Sequence, residues 1–333
     1  MSEKTFKGII LWGVGGLYGV RPYPEISSKS VQIRTEESGA ENVYVCRARG
    51  VFRHEGLTPL PGDSVTVSRE GVTADGSPAG VIDAVGQRRN SLVRPALANL
   101  THLFTVIPAA QPTPVLTGAD KLICAAESRG IEPVIVVTKA ELSPDSAEKI
   151  LNIYKGAGFA AFGLRGDGSL DAELCAYLAK EAARGVVCAA FAGVSGAGKS
   201  TLMSRIFPDL RLATGELSRK IQRGKHTTRR AELYPVNAGG ELCFIADTPG
   251  FSVMDFSRCD CANTSDLPYL FREFAPLMGK CRYTKCTHTS EEGCAVLEKV
   301  ASGEISESRH ASYCEMLEEI RKNPPWKKNG RSR

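Results

Sequence analysis

The chain has 333 residues, a net charge of +5 and 42% hydrophobic residues, values typical of a soluble globular protein with two or three domains. No apolar run reaches the ~20 residues of a membrane-spanning helix. The N-terminus also lacks the charged-then-apolar order of a signal peptide. We therefore expect a cytoplasmic protein without a membrane partner.

Residues 1–90 contain short runs of alternating polarity, such as 43–47 and 64–67. Turn residues, for example Pro61-Gly62-Asp63, separate these runs. Short strands at this spacing predict a small all-β barrel.

Over residues 91–258 the pattern changes to apolar strands that alternate with helices. The predicted strands are 103–107, 134–137, 159–162, 186–192 and 241–246. The predicted helices are 120–129, 143–155 and 200–206. Uniformly apolar strands with helices between them predict a mostly parallel α/β sheet that is covered on both faces.

A phosphate-loop motif, G-x-x-x-x-G-K-[ST], lies between a predicted strand and a predicted helix. Its backbone N–H groups could wrap phosphates at the helix N-terminus, with Lys199 reaching the β- and γ-phosphates and Ser200 ligating Mg²⁺. A glycine-rich turn is the alternative, and the flanking elements count against it. The residues predicted to hold the nucleotide phosphates are Gly193, Val194, Ser195, Gly196, Ala197, Gly198, Lys199, Ser200 and Thr201.

Two further segments complete the predicted phosphate side. Asp247-Thr248-Pro249-Gly250 has the form D-x-x-G, so Asp247 could hold Mg²⁺ and the Gly250 N–H could contact the γ-phosphate. A basic segment includes Gly224-Lys225-His226-Thr227-Thr228, which predicts a switch loop. Either Thr227 or Thr228 would complete the Mg²⁺ shell, and the sequence does not choose between them.

A base-reading motif comes earlier in the chain, at Thr138-Lys139-Ala140-Glu141, and it resembles [NT]-K-x-D. The carboxylate would accept hydrogen bonds from guanine and the lysine stem would pack against the base. Glu141 stands where Asp is usual, which moves its carboxylate one methylene outward. Because ordinary small GTPases place this motif after the phosphate loop, we infer a circularly permuted GTPase domain.

The C-terminal part, residues 259–333, is rich in cysteine and contains a predicted helix at 306–322. Its spacing C-x4-C-x-H-x5-C offers a tetrahedral set for structural Zn²⁺, with Cys259 or Cys261 as possible competing ligands. Reduced thiols beside a surface histidine are the alternative. The predicted zinc ligands are Cys281, Cys286, His288 and Cys294.

These motifs together resemble the ribosome-small-subunit-dependent GTPase A family (RsgA, also called YjeQ) over nearly the whole chain. The resemblance extends to Arg49-Gly50-Val51-Phe52-Arg53, to Pro61-Gly62-Asp63 and to Arg89-Asn90-Ser91-Leu92. It implies an OB-fold barrel that binds ribosomal RNA at 1–90, a circularly permuted P-loop GTPase at 91–258 and a mostly helical zinc-binding domain at 259–333. Two departures fall on guanine recognition: Glu141, and Phe162-Gly163-Leu164-Arg165 where the family has a Ser-Ala loop.

The resemblance also implies a function. The protein is expected to be a monomeric GTPase that assists late maturation of the small (30S) ribosomal subunit, which stimulates its hydrolysis of GTP. Its cofactors would be one structural Zn²⁺ and Mg²⁺ with GTP or GDP. One alternative is a permuted NTPase with relaxed base specificity that acts on a non-ribosomal RNA or protein partner. Another is an RNA-binding switch that does not hydrolyse nucleotide.

Two basic segments of the chain favour an anionic partner. Residues 219–230 and 321–333 each hold six Lys or Arg and no acidic residue, although a solvated tail would also explain the second segment. On the predicted barrel, a basic and aromatic set could contact RNA, or could be a solvated strand face. That set is Tyr44, Arg47, Arg49, Phe52 and Arg53.

The predicted catalytic residues are Lys199, Thr227, Thr228 and His226. Ras-like enzymes place a water-orienting Gln just after D-x-x-G, but here that residue is Phe251, which cannot orient water. The family resemblance assigns this task to the switch-loop histidine, His226. We expect His226→Ala to lower the GTPase rate that small subunits stimulate, measured with and without subunits. Unchanged stimulation would refute the role.

Overall fold

The computed structural model describes residues 4–22, 43–54, 56–93, 96–163, 169–207, 231–247 and 263–322. The chain forms two compact units. One comprises Met1–Thr101, Cys175–Ala190 and Met203–Pro249, and the other comprises His102–Leu174, Phe191–Leu202 and Gly250–Arg333. Among the described helices, none combines the length and the apolar character needed to cross a membrane.

The N-terminal strands form a closed barrel in the order β1-β2-β3-β5-β4. Strands β3 and β5 are parallel, and the other neighbouring strands are antiparallel. This architecture confirms the predicted OB-fold barrel. Its elements are β1 (Thr5–Val14), β2 (Leu17–Pro22), β3 (Tyr44–Ala48), α1 (Val51–His54), β4 (Ser64–Val72) and β5 (Pro78–Val85).

Alternate side chains of the barrel strands point inward, as the two-residue period of a strand requires. Phe52 of α1 joins them and is only 5% exposed. The prediction that Phe52 lies on an RNA-contacting face is therefore wrong, because the barrel needs its ring to fill the interior. The barrel core consists of Ile10, Val20, Cys46, Phe52, Val65, Val67 and Ile82.

A buried ion pair closes the turn before β4. Asp63 is fully buried and its Oδ1 lies 2.7 Å from Arg88 Nε, while the Leu60 N–H donates to Asp63 Oδ2 at 2.7 Å. Gly62 has φ +93°, and a Cβ there would lie 2.0 Å from the Ala98 carbonyl oxygen. Position 62 therefore requires glycine for two reasons, its backbone conformation and the close approach of a neighbouring carbonyl.

The central part is a six-stranded sheet in the order β10-β9-β8-β11-β13-β12. Within it β8 pairs with β9, β9 with β10 and β11 with β13 in parallel, whereas β12 pairs antiparallel with β13. The mostly parallel sheet is confirmed. Its strands are β8 (His102–Pro108), β9 (Glu132–Thr138), β10 (Ala160–Gly163), β11 (Val187–Ala192), β12 (Glu232–Ala238) and β13 (Glu241–Asp247), preceded by the hairpin β6 (Ser91–Val93) and β7 (Ala96–Ala98).

Among the residues that the structure describes, four helices connect these strands: α2 (Leu116–Glu127), α3 (Pro144–Gly156), α4 (Ser169–Ala182) and α5 (Lys199–Ile206). The predicted helices are confirmed, and α4 was not predicted. Strand β11, which leads into the phosphate loop, is the fourth sheet strand in chain order. In the sheet it lies between β8, the first of these strands, and β13, the last. This arrangement is the one expected for a permuted chain, since the strand order is preserved while the chain starts elsewhere.

The C-terminal part packs short helical elements around one apolar cluster. It contains the 3₁₀ turns Leu267–Leu270 and Ala275–Leu277, followed by α6 (Ala295–Ala301) and α7 (Glu307–Lys322). The rings of Phe271, Phe274 and Tyr313 pack against one another in this cluster, with centroids 5.0–5.4 Å apart. The cluster also includes Cys124 of α2, so the C-terminal part and the helix after β8 share a core. The predicted helical character is confirmed.

The two requirements on Gly62 can be separated with a second glycine. Gly76 also has a positive φ, +84°, but a Cβ there would have no atom within 4 Å. Gly76→Ala should therefore cost only the backbone strain of about 1–2 kcal/mol. Gly62→Ala should cost about 1–3 kcal/mol more, because the added methyl collides with a carbonyl oxygen. Urea unfolding of the two variants measures the difference, and equal losses of stability would contradict this account.

Candidate functional site

The phosphate-loop residues connect the fully buried strand β11 to the first turn of α5. Three glycines adopt conformations that side chains disfavour: Gly193 with φ +153°, Gly196 with φ +77° and Gly198 with φ +90°. A Cβ at Gly193 would lie 2.4 Å from the Val106 carbonyl oxygen. The loop can therefore turn closely over β8 only with glycine at its start.

Lys199 lies over this loop rather than pointing into solvent. Its Nζ donates hydrogen bonds to the Gly193 carbonyl oxygen at 2.8 Å and to the Val194 carbonyl oxygen at 2.9 Å. Burial lowers the pKa of Lys199. The ammonium group is thus held at the mouth of a turn at a helix N-terminus, where an anion would meet both its charge and the loop amides.

The predicted base motif meets the phosphate loop through one buried hydrogen bond. Thr138 ends β9 and is 4% exposed. Its Oγ1 donates to the Ala197 carbonyl oxygen at 2.6 Å, and a Cβ at Gly198 would lie 3.8 Å from the Thr138 side chain. The structure therefore brings together two motifs that lie 59 residues apart in the chain.

The rest of the base motif is a tight turn. Lys139 has φ +57° and the Leu142 N–H donates to its carbonyl oxygen at 3.0 Å. Lys139 Nζ donates to the carbonyl oxygen of Gln111. Glu141 is exposed on the 3₁₀ turn Ala140–Leu142. The motif thus presents its carboxylate to solvent and anchors its lysine on a neighbouring loop.

That neighbouring loop, residues 109–115, was missed by the sequence analysis. It follows β8 and precedes α2. A Cβ at Gly196 would lie 3.8 Å from Pro112 Cδ, so the loop borders the phosphate loop as well as the base motif. Its position after a parallel strand of the same sheet was the available signal, since ligands bind at the carboxyl ends of such strands.

The remaining predicted nucleotide residues belong to the magnesium set and the switch loop. His226, Thr227, Thr228 and Gly250 lie outside the described residues. Asp247 ends β13, where its backbone pairs with Glu232 of β12. Ser200 and Thr201 are exposed in the first turn of α5. The magnesium set therefore stays a prediction.

The four predicted zinc ligands converge. The ligand atoms of Cys281, Cys286, His288 and Cys294 all lie within 4.8 Å of one another. His288 Nδ1 is 3.5 Å from the Sγ atoms of Cys281 and Cys294, which are 3.9 Å apart. A tetrahedral ion with Zn–S of about 2.3 Å and Zn–N of about 2.0–2.1 Å separates its ligands by about 3.6–3.8 Å. The distances among Cys281, His288 and Cys294 are close to that geometry, and the three thiol groups match the ligand preference of Zn²⁺.

A carboxylate organises the loop that carries His288. Glu291 Oε1 accepts from the Thr287 N–H and from Thr287 Oγ1, each at 2.6 Å. Its Oε2 accepts from the N–H groups of Thr289 at 3.0 Å and Ser290 at 3.1 Å. Although partial burial opposes ionisation, these hydrogen bonds hold the pKa of Glu291 well below its usual range. The sequence analysis missed Glu291 because only the folded turn gathers these donors.

Two residues of α7 support the same loop. Tyr313 OH donates to the Thr287 carbonyl oxygen at 2.9 Å, and His310 Nε2 lies 2.8 Å from the His288 carbonyl oxygen. His288 itself has φ +59°. The cluster is therefore held in place by the fold around it as well as by its own ligands.

The predicted RNA face of the barrel is only partly available. Arg47 is exposed, but Arg49 pairs with Asp83 at 2.6 Å, and the Arg53 side chain lies outside the described residues. A second basic and aromatic group is present on the barrel. Arg69 stacks on Phe6 and Tyr44, at 5.2 Å and 5.5 Å from their ring centroids.

Two family models match this chain. One, described as "RsgA GTPase", matches residues 85–257, and one described as "RsgA N-terminal domain" matches residues 7–76. Curated relatives described as "Small ribosomal subunit biogenesis GTPase RsgA" include a protein of Ruminiclostridium cellulolyticum, which is 35% identical over 96% of this chain and 95% of its own. A protein of Enterococcus faecalis with the same description is 37% identical over 88% of this chain and 96% of its own.

Two solved structures are similar to the whole fold. The crystal structure of YjeQ from Thermotoga maritima has a TM-score of 0.72 and 28% identity, and the match covers 95% of this chain and 98% of that one. The structure of YloQ, described as a circularly permuted GTPase, has a TM-score of 0.69 and 26% identity over 96% of each chain. These matches support both the barrel and the permuted sheet.

Glu291→Gln tests how far the carboxylate organises the metal loop. The glutamine amide keeps the shape of the side chain but loses its charge. One of the two accepting oxygens is replaced by an NH₂ group, which cannot accept the hydrogen bonds of the loop. We expect about 10- to 100-fold weaker zinc retention, measured as zinc loss to a chelating dye. Glu292→Gln is the matched control, because the Glu292 side chain is 84% exposed and its carboxylate pairs with Arg282 at 3.4 Å. Equal retention in the two variants would contradict the assigned role.

Proposed function

The chain belongs to the RsgA family of GTPases, and we propose that it hydrolyses GTP while assisting late maturation of the small ribosomal subunit. The relatives that carry this description align with nearly the whole chain, from the barrel to the C-terminal part. The observation that carries the proposal is the buried hydrogen bond from Thr138 Oγ1 to the Ala197 carbonyl oxygen. This bond places the predicted base-reading motif beside the phosphate loop, as a site for a single nucleotide requires.

The phosphate side would work by electrostatics and position. Loop amides of residues 193–198 and the Lys199 ammonium would surround the β- and γ-phosphates and stabilise the charge that develops on them. Lys199 would exchange its two carbonyl partners for phosphate oxygens. Such an exchange needs no change in the loop, because Nζ already lies over it.

Ser200, Asp247 and either Thr227 or Thr228 would hold Mg²⁺ around the nucleotide. When bound, Mg²⁺ neutralises charge on the β- and γ-phosphates. His226 would orient the attacking water, since Phe251 carries no group able to do so. The Gly250 N–H would contact the γ-phosphate, which makes residues 224–228 and 247–250 the segments that sense its presence.

The Cys₃His cluster would hold one structural Zn²⁺. Four protein ligands leave no open position for substrate, and this is the pattern of a site that stabilises a fold. Accordingly, residues 259–333 would form a zinc-binding domain, after an RNA-binding barrel at 1–90 and a GTPase domain at 91–258. Arg47 and the Arg69–Phe6–Tyr44 group would supply charge and stacking surface for ribosomal RNA.

A second candidate is a permuted NTPase with relaxed base choice. Glu141 favours it, because the longer side chain lies on an exposed turn rather than in a fixed pocket. Guanine and adenine differ in the hydrogen bonds that this carboxylate can accept. Comparing the dissociation constants of GDP and ADP separates the two candidates, and equal values would favour relaxed specificity.

Co-sedimentation with purified subunits tests the main proposal. We expect the wild-type protein to sediment with small but not large subunits, and more completely with a non-hydrolysable GTP analogue than with GDP. Lys199→Ala should remove that nucleotide dependence and lower single-turnover hydrolysis at least about 100-fold, because it deletes a charge aimed at the phosphates. Lys180→Ala, on the exposed side of α4, is the matched control.

Two results would overturn the proposal. One is the absence of any magnesium-dependent binding of a purine triphosphate by the wild-type protein. The other is equal sedimentation with both subunits in every nucleotide state.

A further inference from the structure

Arg309 of α7 is a fully buried cation, only 1% exposed. Its guanidinium contacts two carboxylates: Nη1 lies 2.6 Å from Asp120 Oδ1, and Nε lies 2.7 Å from Glu273 Oε1. Asp120 is 0% exposed and Glu273 is 6% exposed. The Phe271 ring lies under the guanidinium, 4.5 Å from its carbon to the ring centroid. Such a group is held by several contacts at once, so it fixes the elements that supply them.

Two of those elements belong to the nucleotide-binding part. Asp120 lies on α2, and the Tyr154 hydroxyl of α3 donates to the same Oδ1 at 3.0 Å. Tyr154 is also fully buried, with its ring centroid 5.8 Å from the Arg309 guanidinium carbon. One carboxylate oxygen thus connects α2, α3 and α7.

Both helices begin at the loops that border the nucleotide site. The loop at 109–115 leads into α2, and the turn of Lys139 to Leu142 leads into α3. The two loops are also bonded to each other. Ser146 Oγ, in the first turn of α3, donates to the Ala109 carbonyl oxygen at 3.0 Å, and the Ala109 N–H donates to the Thr138 carbonyl oxygen at 2.8 Å. A shift of α2 against α3 would therefore move the base motif.

We propose that Asp120 and Arg309 are positioning residues for nucleotide binding. By fixing α2 against α3, they hold the loops at 109–115 and 138–142 in the arrangement that receives the base. The C-terminal part then supports guanine binding through α7 without touching the nucleotide. This inference rests on the proposed function, since it concerns the same nucleotide site.

A second arginine supplies a matched control. Arg272 also comes from the C-terminal part and also contacts two carboxylates, Glu127 at 2.5 Å and Glu132 at 2.7 Å. Glu127 ends α2 and Glu132 begins β9, so both lie at the ends away from the nucleotide loops. Loss of Arg272 contacts should therefore lower stability without disturbing the base site.

The test uses the full chain with three substitutions: Tyr154→Phe, Arg309→Lys and Arg272→Lys. Tyr154→Phe removes one hydrogen bond and leaves every charge paired, so this variant keeps the test decisive if Arg309→Lys does not fold. Hydrogen–deuterium exchange reports the amides of residues 109–115 and 138–142. Equilibrium titration reports the dissociation constant for GDP.

We expect Tyr154→Phe and Arg309→Lys to raise exchange in both loops and to weaken GDP binding about fivefold or more, the lower end of typical coupling between distant sites. Arg272→Lys should leave both quantities at their wild-type values. Unchanged loop exchange and GDP affinity in Tyr154→Phe would overturn the inference. So would equal effects of the two arginine substitutions, because a purely structural role predicts them. Failure of the wild-type protein to bind GDP at all would instead overturn the proposed function.

Discussion

One buried hydrogen bond, from Thr138 Oγ1 to the Ala197 carbonyl oxygen, is the contact on which the proposed nucleotide site depends. The Ala197 carbonyl belongs to the glycine-rich turn between β11 and α5, and leaving such a group unpaired in the interior costs about 1–3 kcal/mol. A hydroxyl at the end of a neighbouring strand supplies the partner. The same bond sets the distance between the base motif and the phosphate loop, so stability of the turn and geometry of the site have one cause.

The C-terminal part depends on charge in a different way. Burial raises the pKa of Asp120, and Arg309 opposes that shift. Taking these ions from water is expensive, and their attraction offsets the cost only when the geometry is good and further hydrogen bonds are made. Here the fork of Arg309 to Glu273 and the Tyr154 hydroxyl provide those bonds. The Cys/His cluster adds a second constraint to the same region, beside its apolar core.

Local patterns predicted much of this molecule. Strands β8, β9 and β11 are almost wholly apolar, so the sequence predicted that both of their faces are buried. The Cys/His cluster was predicted from its spacing because its four ligands are close together in sequence. Contacts between distant segments were not visible: Arg309 and Asp120 are 189 residues apart, and nothing in either neighbourhood indicates the other. Phe52 was misassigned because an aromatic residue beside arginines fits an RNA face and a barrel core equally well until the fold is known.

Under the proposed function, permutation connects the C-terminal part to segments at both ends of the bound nucleotide. In chain order, the segments proposed to sense the γ-phosphate, residues 224–228 and 247–250, precede the C-terminal part, and the second of them is close to its start at residue 259. In space, α7 contacts α2, the helix that follows the loop at 109–115, through Asp120 and through Lys121, which lies 2.5 Å from Glu319. A partner that binds the C-terminal part more tightly in one nucleotide state must, by linkage, change nucleotide affinity by the same factor. In an unpermuted chain the C-terminal part would follow the base-side segments. It would then have no direct chain connection to the segments proposed to sense the γ-phosphate.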